Sequence, residues 1–482
     1  MDKLKKVLST IQKHKILPIA IILLVIIFFS IRLIITWDSA HYLGYVEIFE
    51  NRLPASSWDV VRGPVFPALI YLSDVIFGKT SAGILILTFL FYLIATISCY
   101  ILIQQIFKNS KHRQLYSYLT LIIAVLNPLI LGYFHVLLTE FVAITLTILN
   151  ILIAYKWIYT DVHNKKHLAF YSVYFVLNTV FCYHLKQPYI IIGLVPLIIA
   201  AIIAIIQKHT IKSIAYRLGT IAASIIALFF SIGIWNIVLT NMGVDFTTNR
   251  DSESMLSSQL LSTYDIFYDP DNDGKPNQVS TLQAIGLITN ELFTDPLKIG
   301  GIYLSNYCSL TSNCIIETND GVKYVATFNF AGEKTYENSI IGYRPYSSYS
   351  NIFDMTDELQ ARADVYGESS DRSLIAGGFS LGRIPTNILF KISTALCLPL
   401  LVFLIIIKVK YKNKTYNNLF YLSLILIITS FSHLAISAGL GLIIDRYAIE
   451  IFIPSFIGLI SSGAYFYYCR LSTRQQIKGT SR

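Results

Sequence analysis

Charge is what this chain has least of. Only 14% of its 482 residues are Asp, Glu, Lys or Arg, while 54% are hydrophobic. Soluble globular chains carry about 25% charged residues. The shortage, together with a strongly positive mean hydropathy, excludes an ordinary soluble domain and predicts a polytopic membrane protein. A disulfide scaffold is excluded as well. Of the six cysteines, Cys99, Cys182, Cys397 and Cys469 lie in or beside apolar runs and read as small buried hydrophobes. Cys308 and Cys314 lie in the polar stretch NYCSLTSNC. In an oxidising compartment they could pair, given a Cα geometry that sequence does not specify. Internal repeats and low-complexity runs are absent. The one N-x-S/T sequon, Asn413-Lys414-Thr415, sits in a basic cluster and reads as meaningless. A cleavable signal is not expected either. The apolar run in KHKILPIAIILLVIIFFSIRLIIT is about 20 residues, long enough to span a bilayer, and no small-x-small site follows it.

The charge that is present is unevenly placed. Residues 241–385 hold 19 of the 29 acids and 9 of the 38 Lys and Arg, a local net of −10; the remainder carries +19. The net of +9 therefore does not read as a nucleic-acid footprint. Ten apolar spans are expected at roughly 16–35, 81–107, 115–134, 138–158, 168–185, 188–206, 217–240, 386–407, 416–437 and 447–468. Basic clusters fall on alternate spacers: Lys3 to Lys15, Lys108 to Arg113, Lys156 to Lys166, Lys208 to Arg217, Lys408 to Lys414, and Arg470 to Arg482. By the positive-inside rule these are cytoplasmic, as are both termini. The expected organisation is a basic N-terminus (1–15), a membrane module (16–240) with a first external loop (36–80), an external domain (241–385), three last spans (386–468) and a basic tail (469–482). The fold class is all-α, with interfacial helices in the first loop and a mixed α+β external domain that includes strands such as VKYVATFNF.

The external side carries the candidate chemistry. Asp38 lies just past the first span, followed by His41, Tyr42 and Tyr45 at helical spacing. An ionised carboxylate at this depth is costly unless it meets water or a partner. Asp38 reads either as a helix cap or as a general base at the membrane surface. Arg62 in VVRGPVFP, Lys186 in YHLKQPY and Arg446 in LIIDRYAIEIF share this side. Singly, each reads as a snorkelling cation. Together, beside Gly, Pro or tight turns, they fit a phosphate site. Glu140, in HVLLTEF, is an acid at the edge of an apolar run, either a headgroup-level ion pair or a site residue. Asp269, Asp271 and Asp273 alternate before Gly274 as in the first half of a calcium loop, but Ser280 stands where that loop needs Glu. A structural Ca²⁺ and a plain polar turn both stay open.

The order of these features resembles the membrane-embedded GT-C glycosyltransferases, especially bacterial relatives of the protein O-mannosyltransferases and the lipid A aminoarabinose transferase. The similarity runs from about residue 20 to 465: the first-loop Asp, RGPVFP, the TE that opens the fourth span, the cation-Pro turn, and DRY…P. Residues 241–385 match no known pattern. The resemblance implies transfer of a sugar from a polyprenyl-phosphate donor at the outer face of a bacterial cytoplasmic membrane, usually with inversion. It implies Asp38 as the base, Arg62, Lys186 and Arg446 on the lipid phosphate, and His41, Tyr42, Glu140 and Tyr447 around the sugar or acceptor. The family's first loop often has a second acid beside the first; here Ser39 follows Asp38. No cofactor is required, because fixed cations can neutralise the leaving phosphate. The acceptor, whether glycan, lipid or protein, is not specified. Two other readings remain: a polymerase or ligase acting on diphosphate-linked glycans, and a lipid or glycan transporter. Repeat symmetry and midplane helix breaks, common in transporters, are not seen.

Overall fold

A computed structural model describes residues 24–31, 33–35, 37–58, 62–160, 164–207, 210–244, 264, 281–312, 314–316, 326–328, 368–369, 380–411, 415–439 and 445–480. Among these, seven helices are long and apolar enough to cross a membrane, or eight if one bent pair counts as a span. The protein is therefore a helical, multi-pass membrane protein.

The helices, in chain order, are α1 (Trp37–Phe49), α2 (Val65–Phe77), α3 (Ser81–Ile106), α4 (Arg113–Val125), α5 (Pro128–Phe134), α6 (Glu140–Ile158), α7 (Lys165–Leu185), α8 (Ile190–Ile206) and α9 (Ile211–Asn241). After them come α10 (Thr281–Thr294), α11 (Pro296–Ser312), α12 (Ser380–Ala395), α13 (Cys397–Tyr411), α14 (Asn417–Gly439) and α15 (Phe452–Thr480). The span expected at 115–134 is two helices. Asn127 divides it: Nδ2 donates to the Ile123 and Ala124 carbonyls at 3.0 and 2.9 Å, and Oδ1 accepts from the Ile130 amide at 2.8 Å. One side chain thus caps the end of α4 and the start of α5. Pro128 then pushes the residue before it out of the helical region. The span expected at 386–407 is bent by 49° between α12 and α13. The first expected span begins before the described residues.

Helix α6 is the centre. Of its apolar stretch 83% is buried in protein, against 11% for α9. It packs on α3, α8 and the 3-10 turn Asp445–Ile451. Its midpoint is polar for a reason found in α8. Pro196 has no N–H, so the Ile192 carbonyl one turn earlier lacks its helical donor. Asn150 supplies it, donating from Nδ2 at 2.8 Å, and accepts from the Tyr174 hydroxyl at 2.6 Å. Three helices are joined by one buried amide.

Arg217, from the last basic cluster before the long polar segment, lies inside α9 and is fully buried. Nη2 donates to the carbonyls of Trp157 and Ile158 at 2.8 and 3.1 Å, Nη1 donates to Ser213, and the guanidinium lies over the Trp157 ring. It caps the C-terminal end of α6, where helix carbonyls lack donors and the helix dipole favours a cation.

In the first loop α1 is enclosed by protein: Tyr42, Leu43, Tyr45, Val46 and Ile48 are all buried. Only α2 has the one-sided character expected of an interfacial helix, burying Phe66 and Ile70 while exposing Leu72, Val75 and Ile76. From the long polar segment, α11 rests on α14. Tyr303 and Asn306 donate to the carbonyls of Ala435 and Ala438, and Tyr264 donates to Gly439. The bonds to Ala438 and Gly439 satisfy end carbonyls of α14. Cys314–Ile316 pairs antiparallel with Ala326–Phe328, the latter within VKYVATFNF, and Ile34–Ile35 pairs parallel with Glu368–Ser369.

Candidate functional site

The site forms at the N-terminal end of α6. Glu140 is the first residue of that helix, where the dipole favours an anion, and its side chain is 1% exposed. Lys186 Nζ stands 3.5 Å from Glu140 Oε1. Lys186 follows α7 in extended conformation and precedes the 3-10 turn Gln187–Tyr189, which Pro188 helps to set. The chain therefore turns sharply, and the ammonium reaches back over the Tyr189 ring at 5.4 Å. The Thr139 hydroxyl donates to Glu140 Oε2 at 3.3 Å and exchanges a bond with the Tyr189 hydroxyl at 3.3 Å.

The first loop is held against this turn by a glycine. A Cβ on Gly63 would lie 1.9 Å from the His184 carbonyl oxygen. Only a residue without a side chain lets the Arg62-Gly63-Pro64 backbone press onto the end of α7, two residues before Lys186. Arg62 is thereby fixed nearby. Its carbonyl accepts from Trp58 Nε1 at 3.0 Å, and its guanidinium lies 5.1 Å from the Tyr42 ring centroid. Trp58 stacks on Tyr45 at 4.4 Å and meets Trp235 edge-on. Tyr45 thus serves the wall of the loop.

Helix α1 approaches from the other side. Ser39 donates to the Leu137 carbonyl at 2.8 Å, and Tyr42 packs edge-on to Phe66, which packs on Phe141. The start of α1 therefore lies along residues 137–141. Asp38 and His41 are in the first turns of this helix, and Asp38 adjoins Ser39. Their side chains lie outside the described residues. The same holds for Arg446 and Tyr447, whose backbones sit in the 3-10 turn Asp445–Ile451. Asp269, Asp271 and Asp273 lie wholly outside the described residues, as do the side chains of Cys308 and Cys314. Among the described residues, no group of three or more His, Cys, Asp or Glu is placed to hold a metal ion. Cys99, Cys182, Cys397 and Cys469 are buried free thiols.

The structure thus brings together Tyr42, Arg62, Glu140 and Lys186, from four separate stretches of sequence. It adds residues that sequence reasoning passed over. Tyr189 lies in electrostatic reach of Glu140, Glu450 and Tyr42. Glu450 is fully buried, and its Oε2 is 3.7 Å from His433 Nε2. The rule that singles out Glu140, an acid in an apolar run, applies equally to Glu450 in AIEIFIPSF.

Chemically, the cluster offers two cations of different shape beside a carboxylate pair and phenols. Arg62 can fork an oxyanion and Lys186 adds a point charge, while Glu140 holds Lys186 in position. Comparison with family models, curated proteins and solved structures finds no match to this chain, so the reading of the site rests on its residues.

Proposed function

We propose that the protein is a glycosyltransferase that moves a sugar from a polyprenyl-phosphate donor to an acceptor hydroxyl at the outer face of a bacterial cytoplasmic membrane. The observation that supports it most is the Gly63–His184 backbone contact, which holds Arg62 of the first loop beside the turn that carries Lys186. A lipid phosphate is already at the membrane surface, and these cations are suited to receive it. Asp38 takes the proton as the acceptor oxygen bonds to the anomeric carbon. The bond from that carbon to the phosphate oxygen breaks, and its electron pair leaves with the phosphate. Arg62, Lys186 and Arg446 stabilise the charge that develops there. Tyr42 and Glu140, with His41 and Tyr447, line the sugar and acceptor side.

The test is transfer of radiolabelled sugar from a synthetic polyprenyl-phosphate donor in membranes containing the wild type or Asp38→Asn. The expected result is transfer by the wild type and a loss of at least about a hundredfold in the variant, the lower range for a general base. Equal transfer by both would remove Asp38 from the mechanism. Transfer only from a diphosphate-linked donor would favour a polymerase or ligase, and donor movement across the membrane without covalent transfer would favour a transporter.

A further inference from the structure

We infer that α10 and α11 form a lipid-binding surface, seated with one apolar side in the leaflet at the Gly439 end of α14; this does not depend on the donor reading above. The depth is set by α14. Its 23 residues cover roughly 35 Å, against about 30 Å for a hydrocarbon core, so little of it stands clear of the bilayer. Helix α11 lies against the last turns of this span. The Tyr303 hydroxyl donates to the Ala435 carbonyl at 3.2 Å, Asn306 Nδ2 donates to the Ala438 carbonyl at 3.2 Å, and the Tyr307 ring meets Phe431 at 6.2 Å. At the ordinary helical rise Ala435 is about 6 Å and Phe431 about 12 Å below Gly439. Helix α11 therefore sits where headgroups meet acyl chains, not above that level. The basic Lys408–Lys414 cluster precedes the other end of α14, so by the positive-inside rule this leaflet is the outer one.

At this depth both helices expose apolar sides. On α11, Ile299, Tyr303, Asn306 and Tyr307 take the packed side, while Leu297 and Leu304, seven residues apart, are 83% and 56% exposed. A Cβ on Gly300, between them, would meet nothing within 4 Å. On α10, Ile285, Leu292 and Phe293 share one side by helical spacing, and Phe293 is 81% exposed. Thr289 lies among them, but its hydroxyl turns back to the Ile285 carbonyl at 2.7 Å and brings no unmet donor. Gln283, Asn290 and Thr294 form the neighbouring exposed side. A helix wholly in water has no reason to sort its exposed residues; a helix lying in an interface does. Phe293 and Leu297 flank the Thr294-Asp295-Pro296 link, which joins the two apolar sides. Ile436 of α14, next to Ala435, is exposed too, so the apolar surface continues onto the span itself. The charges at the link are used locally: Lys298 pairs with Glu291 at 3.3 Å, and Asp295 Oδ1 accepts from the Lys298 amide at 3.0 Å. Apolar insertion, rather than attraction to charged headgroups, holds the pair in place.

The experiment places the full-length wild type, one copy per nanodisc, among phospholipids that carry a diazirine on the acyl chain. After illumination, peptide mass spectrometry maps the adducts. Phe229 and Phe230, exposed on a helix that is 11% buried, mark acyl-chain contact; Gln283 and Asn290 mark water. Phe293, Leu297 and Leu304 are expected to label like Phe229 and Phe230, and about tenfold above Gln283 and Asn290, the occupancy ratio that corresponds to one buried Leu side chain. High salt is expected to leave the pattern unchanged, because apolar contact is not screened. Labelling no higher than at Gln283 and Asn290 overturns the inference. Labelling lost in high salt overturns it in favour of attraction to headgroups. Labelling that disappears in discs holding two copies, with cross-links between their α10 helices, assigns the surface to a second copy and overturns it as well. None of these results bears on the donor reading, which stands or falls by its own test.

Discussion

The two ends of α6 are both buried and both charged, but they use charge in opposite ways. At the C-terminal end Arg217 is enclosed, and both of its terminal nitrogens donate to nearby oxygens: two helix carbonyls and Ser213. At the N-terminal end Glu140 meets Lys186 at 3.5 Å, and the buried Glu450 carboxyl, with His433 Nε2 3.7 Å from its Oε2, lies in electrostatic reach of both. At the first end the fold meets both terminal nitrogens of Arg217 and leaves only its Nε without a partner. The second holds polar groups that a packed helical bundle does not need. A buried cation whose two terminal nitrogens bond helix carbonyls and a serine of its own helix reads as architecture. Buried ionisable groups that face one another at the edge of a span read as a place for a ligand.

The contrast can be broken most severely at the Arg217 end. Arg217→Ala strips donors from two buried carbonyls and should cost about 3 kcal/mol. Thermal unfolding in detergent should show it as a clear drop in midpoint, while protein that remains folded should bind donor lipid normally. A midpoint like the wild type's would show that the cap does not matter. Gly63→Ala comes next and should separate the two ends. Its Cβ meets the His184 backbone, so the first loop must move, at about 2 kcal/mol. Here the larger change is expected in lipid-phosphate affinity, because Arg62 leaves the neighbourhood of Lys186. An equal loss of stability and no loss of affinity would contradict the arrangement. Asn150→Leu, halfway along α6, should cost about 1–2 kcal/mol by leaving the Ile192 carbonyl without a donor. Replacing Pro196 by Ala in the same background should return part of this, since the helix then supplies its own N–H. Smallest is Tyr303→Phe, which removes one partly buried bond to α14 and should cost under about 1 kcal/mol.

Much of the bundle was legible because a span needs about 20 apolar residues and polar turns interrupt them. The boundaries of α3, α6, α7 and α14 fall within a few residues of the expected spans. The break at Asn127-Pro128 was visible as a dipeptide but hidden by the hydropathy of the run around it. The bend between α12 and α13 falls one turn before Pro399, which leaves the Ala395 carbonyl without its helical donor, and it too was hidden by the hydropathy of the run. Within the long polar segment, the docking of α11 was not legible, since it rests on contacts of Tyr303 and Asn306 with α14 that have no periodic pattern. In the site, Tyr42, Arg62, Glu140 and Lys186 stood out because each interrupts an apolar or turn context. His433 and Tyr189 did not, because they lie inside runs that read as membrane span; Glu450, in AIEIFIPSF, carries the same signal as Glu140 and was passed over. What Gly63 contributes could not be read at all: its role is a contact with a backbone 121 residues away, as the two residue numbers give.

The measurement closest to the central claim is the affinity of the purified protein in nanodiscs for a polyprenyl phosphate, in the wild type, Arg62→Ala, Lys186→Ala and the double variant. If both cations hold one phosphate, each single variant should bind about tenfold more weakly. The double variant should then fall short of the product of the two losses, because the residues share a ligand and a neighbourhood. Wild-type affinity in the double variant would contradict the account, since the phosphate would then be held elsewhere.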